Sequence, residues 1–163
     1  MTLNLSHATS GARRFIEFAW SKGYDPNPVK LTEGNRHIQP TTLIYGTDRT
    51  YFVVFNSSQR IPRLVTGDLI GSRDLKRAAM QGEANVQREM RTGYMGPFVS
   101  EGFEPFRIFL DYTTFKGNGH VAFYLGNEKD DGFSLPANSF RELSVDLYGA
   151  EHVKTLYLFQ NMS

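Results

Sequence analysis

The chain has 163 residues, 40% apolar and 21% charged, a balance that excludes a disordered chain and suits one globular domain over 1–163. Eighteen basic and seventeen acidic residues leave a net charge of +1, so bulk charge selects no partner and only local clustering can. The absence of cysteine excludes a disulfide framework, a thiolate metal site and a cysteine nucleophile, and it fits a cytoplasmic location.

In the first twenty residues, Arg13, Arg14 and Glu17 interrupt any apolar run, so no secretory signal is expected. No stretch approaches the roughly 18 apolar residues that cross a bilayer, and no membrane is expected as a partner. Thr9 to Lys22 predict the first helix, with Ala12, Phe15, Ile16, Phe18 and Ala19 on one arc. Ser10 is its expected N-cap and Gly23 its stop. Residues 24–40 hold three prolines, a glycine and two asparagines, which predicts a long loop. The β-branched and aromatic runs 41–46 and 50–55 predict a hairpin, followed by a short strand at 61–65.

A basic helix is expected from Gly67 or Asp68 to about Arg91. Residues 92–105 predict a loop. Residues 106–117 and 120–126 flank Asn118-Gly119, a strong hairpin signal. Residues 127–132 predict an acidic turn. Phe140, Leu143 and Leu147 then have helical spacing, with Asn138 or Ser139 as cap and Gly149 as stop, and 153–160 close the chain as a strand. The order is αββαββαβ. It predicts an α+β fold with an antiparallel or mixed sheet of about five strands and helices packed on it.

The basic helix carries the most pointed signal. At about 100° per residue, Leu75, Ala79, Val86 and Met90 share an arc of roughly 60°, and Arg73, Arg77, Arg88 and Arg91 share another nearly opposite, with Lys76 beside it. Docking the apolar arc turns four guanidinium groups to solvent along about 27 Å of helix. Arginine donates bidentate hydrogen bonds to phosphate, so this face fits a nucleic acid or an acidic protein surface. A plain solvated face accounts for the same pattern, with Asp74, Glu83 and Glu89 near enough to pair. Gly82 weakens the helix by about 1 kcal/mol against alanine and is where it would break.

With Asn118-Gly119 as a two-residue loop, Ile108, Leu110, Tyr112, Val121, Phe123 and Leu125 face the core. Arg107, Phe109, Asp111, Thr113, Phe115, His120 and Tyr124 face away. That second face is either a stacking platform for bases beside Arg107 or a layer covered by another element. His120 and Asp111 are the residue types of a histidine–carboxylate dyad, but this register sets them about 20 Å apart along the strands.

Other constellations are weaker. His7-Ala8-Thr9 has no second His-x-Thr triplet to complete a two-histidine phosphoesterase. Glu128, Asp130 and Asp131 lack the spacing of a calcium loop. No zincin pair, P-loop or Gly-x-Ser-x-Gly is present. No cofactor or metal is expected, and homo-oligomerisation is left open.

No nucleophile, base and orienter assemble, which favours a binding protein over an enzyme. The leading expectation is an anionic partner, nucleic acid or acidic protein, held by Arg73, Lys76, Arg77, Arg88, Arg91 and Arg107. The second is an interaction or inhibitor protein that contacts another protein through Tyr94, Met95, Phe98 and Phe103, since aromatics and methionine are enriched at interfaces. The third is an enzyme acting on a phosphoester or nucleotide through His120 and Asp111 with Arg107.

Overall fold

The computed structural model describes residues 3–30, 41–45, 50–54, 97–102, 106–115, 119–125 and 131–156. In chain order they form α1 (Ser10–Ser21), β1 (Asn27–Lys30), β2 (Thr41–Tyr45), β3 (Thr50–Val54), β4 (Phe106–Asp111), the single turn α2 (Tyr112–Phe115), β5 (His120–Tyr124), β6 (Asp131–Pro136), α3 (Ala137–Tyr148) and β7 (Val153–Leu156). This is an α+β arrangement on two sheets. The smaller has the order β1-β6-β5 and is antiparallel throughout. The larger has the order β2-β3-β4-β7; β2 runs antiparallel to β3, while β3, β4 and β7 run parallel. Among the described residues no helix is long and apolar enough to cross a membrane.

The first helix forms as its periodicity predicts, burying Ala12, Phe15, Ile16 and Ala19. Its cap is Thr9 rather than Ser10: the Thr9 hydroxyl accepts from Ala12 N–H at 3.2 Å, satisfying one of the orphan donors of the first turn. Gly23 follows with φ +86° and Gly149 follows α3 with φ +94°, a region where a Cβ is costly. Both predicted stops are therefore met. The cap of α3 differs from expectation. The helix begins at Ala137 behind Pro136, which has no side chain to accept a bond, and Asn138 Oδ1 instead accepts from Ser139 N–H at 2.9 Å.

The β2–β3 hairpin matches the sequence pattern, with Tyr45 opposite Thr50. The hairpin expected at Asn118-Gly119 does not form. β4 ends at Asp111, residues 112–115 turn helically, and β5 pairs with β6 instead. Both edges of β4 are already taken, by β3 and β7, so no donors or acceptors remain for β5. Two strands also arise where loop or turn was expected: β1 within 24–40, and β6 beginning inside the acidic stretch at Asp131. Seven strands stand among the described residues. The predicted basic helix, the 61–65 strand and the ends of several segments lie outside them.

The core lies where α1, α3 and both sheets meet. Phe15, Phe98, Phe115, Phe123, Phe133 and Phe140 are all fully buried there. Their rings touch in a continuous cluster, with Phe123 stacked on Phe140 at 4.4 Å and Phe98 edge-on to Phe123 at 5.6 Å. Burying each ring contributes about 1.5–3 kcal/mol, and favourable ring pairs add about 0.5–1.5 kcal/mol.

Candidate functional site

Sheet alternation decides which side chains of β4 are available. Phe106, Ile108 and Leu110 face the core. Arg107 has the opposite parity and is half-buried. The same outer face carries Phe109, 6% exposed, and Asp111, 0% exposed. That face is therefore covered over these two residues, as one of the two sequence readings held. On β7, Lys154 pairs with Phe109 and is exposed. It joins Arg107 on that face.

Asp111 closes β4 at the carboxyl end of the parallel strands, level with Leu156. His120 begins β5 on the other sheet and is exposed. One group is shielded from solvent and the other open to it, and the two belong to different sheets. Arg107 likewise stands at the opposite end of β4 from Asp111.

A second polar arrangement sits where segment 97–102 crosses α1. Ser10 Oγ and Ser100 Oγ are 2.6 Å apart. Arg14 Nη1 donates to Val99 O at 3.2 Å, and Val99 N–H donates to the Tyr148 hydroxyl at 3.2 Å. The Arg14 guanidinium also lies 5.7 Å from the Tyr148 ring centroid, within cation–π range. Burial pushes the Tyr148 hydroxyl above the ordinary tyrosine range, against the opposing effects of the Val99 hydrogen bond and Arg14. It stays neutral and acts as an acceptor. This network fixes the path of segment 97–102.

His152, just before β7, is held by several contacts, and the sequence reading passed over it. Its ring stacks on Phe106 at 4.5 Å. Its Nδ1 lies 2.8 Å from Tyr148 O and 3.3 Å from Glu151 Oε1. A carbonyl only accepts, so Nδ1 carries the proton and donates to the last turn of α3. The arrangement caps a helix end.

Of the residues expected at a partner surface, Phe98 is 1% exposed and packs against Phe15 at 5.0 Å. It serves the core. Tyr94, Met95 and Phe103 lie outside the described residues, as do Arg73, Lys76, Arg77, Arg88 and Arg91. Lys154 escaped the sequence reading because nothing local reveals that β7 pairs in parallel with β4. Among the described residues no group of three histidine, aspartate or glutamate side chains is arranged to hold a metal.

No family model and no curated protein matches the chain. Several solved structures resemble it, two of them as follows. One is a scaffold protein from computational epitope backbone grafting for the presentation of linear epitopes, with TM-score 0.58 and 18% identity over 91% of this chain and 96% of that one. The other is a proposed trans-editing enzyme for prolyl tRNA synthetase, with TM-score 0.54 and 16% identity over 82% of this chain and 90% of that one. At these identities the likeness is one of fold.

Proposed function

We propose that the chain acts on an aminoacylated tRNA and removes the attached amino acid by hydrolysis. The observation that carries this reading is the shared fold with the proposed trans-editing enzyme, which extends over most of both chains. Editing by hydrolysis is the chemistry used where binding alone cannot reject a wrong amino acid. The reading is compatible with the arginines at 73, 77, 88 and 91, with Lys76 and with Arg107, because tRNA is a polyanion and arginine suits phosphate.

The second reading is binding of a nucleic acid without chemistry. It is favoured by the separation of buried Asp111 from exposed His120, which leaves that pair without the geometry of a base and its orienter.

One experiment addresses both. A panel of tRNAs, each charged with a labelled amino acid, is incubated with the chain, and release is compared with spontaneous hydrolysis. Tenfold or faster release from at least one member is expected. Salt-dependent binding of tRNA without release would leave the second reading standing, and neither release nor binding would remove both. Exchange of Arg77 and Arg88 for alanine is expected to weaken tRNA binding and its salt dependence.

A further inference from the structure

We infer that Arg107 and Lys154 form a phosphate-binding pair on the outer face of the larger sheet, and that the ligand is the sugar–phosphate backbone of RNA. The inference rests on the RNA reading above and names a surface that meets the backbone. On β4, Arg107 points away from the face that buries Phe106 and Ile108. On β7, Lys154 alternates with buried Val153. The parallel register sets Lys154 beside Phe109, so Arg107 is one pleat away on the same face. With strands about 4.8 Å apart and a rise of about 3.3 Å per residue, their Cα atoms are about 8 Å apart.

Two like charges this close on one sheet face oppose folding. Among the described residues neither is in an ion pair. Phosphates of one backbone, one at each cation, relieve the repulsion. The guanidinium supplies a bidentate fork for phosphate oxygens, and the ammonium adds a point charge. Phe109, on the same face between them, is buried, so the two cations flank a covered ring. The charge is thus complementary to a phosphodiester, and both cations are placed by strands rather than by a loop.

The test measures binding of fluorescently labelled, uncharged tRNA across a salt series. In the double variant R107Q/K154Q the slope of log affinity against log salt is expected to shrink by about 1.4–1.8, the release of two phosphate contacts. Arg107→Lys keeps the charge and should keep the slope. Lys22→Gln removes an exposed charge at the C-cap of α1 and should also leave it unchanged. Thermal melts confirm that each variant folds. Wild-type slope in the double variant would overturn the pair while leaving the RNA reading intact. An equal loss in Lys22→Gln would overturn it too, as a general charge effect. Binding to polyglutamate that matches tRNA in affinity and is lost in the same double variant would assign the pair to an acidic protein and overturn the RNA ligand. Failure of the wild-type chain to bind tRNA at all would remove both this inference and the reading beneath it.

Discussion

Gly11 and Phe98 are in backbone contact: a Cβ placed on Gly11 would stand 2.6 Å from the carbonyl oxygen of Phe98 and 2.8 Å from its carbonyl carbon. The atoms in the way are backbone, so no side chain can swing aside. Gly11→Ala gains about 1 kcal/mol of helix propensity. It also forces α1 and segment 97–102 apart, and overpacking of this kind costs about 1–3 kcal/mol. A net loss of stability is expected, read as a lower denaturation midpoint. A midpoint at or above wild type would show that the seam yields.

Phe98 tests whether the 92–105 stretch is spent on the fold or on a partner. Its ring lies within 5.0–6.2 Å of Phe15, Phe123, Phe133 and Phe140. Phe98→Ala is expected to cost about 3–5 kcal/mol, by lost burial plus the cavity left behind. Urea denaturation reads this directly. A cost under 1 kcal/mol would place the ring outside the core.

These two residues also show what the sequence could reveal. The helical period of 10–21 and the glycine stops at 23 and 149 are local signals, and they hold in the structure. The same is true of the 41–54 hairpin. The Asn118-Gly119 signal is equally local but loses to a distant pairing, because β3 and β7 occupy both edges of β4. β6 hides in an acidic stretch for a related reason: besides the adjacent β5 it pairs with β1, far off in sequence, and that pairing helps decide its state. The candidate surface was half legible. Alternation placed Arg107 on the outer face, but Lys154 joins it only through a parallel register that no short window contains.

Ser144 offers a stabilising change. Its hydroxyl oxygen is buried on α3 and, among the described residues, has no hydrogen-bond partner. Removing an unsatisfied buried hydroxyl recovers its desolvation cost, and alanine is the better helix former. Ser144→Ala is expected to raise stability by about 1–2 kcal/mol, seen as a higher urea midpoint. A destabilised variant would mean that the oxygen is satisfied after all.

Thr9 joins two elements at once. Its side chain caps α1, and its backbone N–H donates to Leu125 O at 3.0 Å, just beyond β5. Thr9→Ala removes the cap alone and is expected to cost about 1 kcal/mol, while Thr9→Ser should retain most of it. Equal losses in the two variants would point to the methyl group, 3% exposed as part of the residue, rather than the cap.

Tyr148 couples stability to alkaline pH. Burial raises its hydroxyl above the ordinary range, while the unfolded chain ionises near pH 10. Above that pH the unfolded state releases a proton that the folded state keeps. Stability from this group is therefore full below about pH 10 and falls above it, by about 1.4 kcal/mol per pH unit. Tyr148→Phe has no such proton to lose, but leaves the Val99 N–H without its acceptor, a cost of about 1–3 kcal/mol at neutral pH. Urea denaturation of both proteins at pH 8, 10 and 11 should show the wild type ahead at pH 8 and the gap narrowing above pH 10. A gap that stays constant would mean that the hydroxyl ionises as readily folded as unfolded, and that the seam joining α1, segment 97–102 and α3 is open to water.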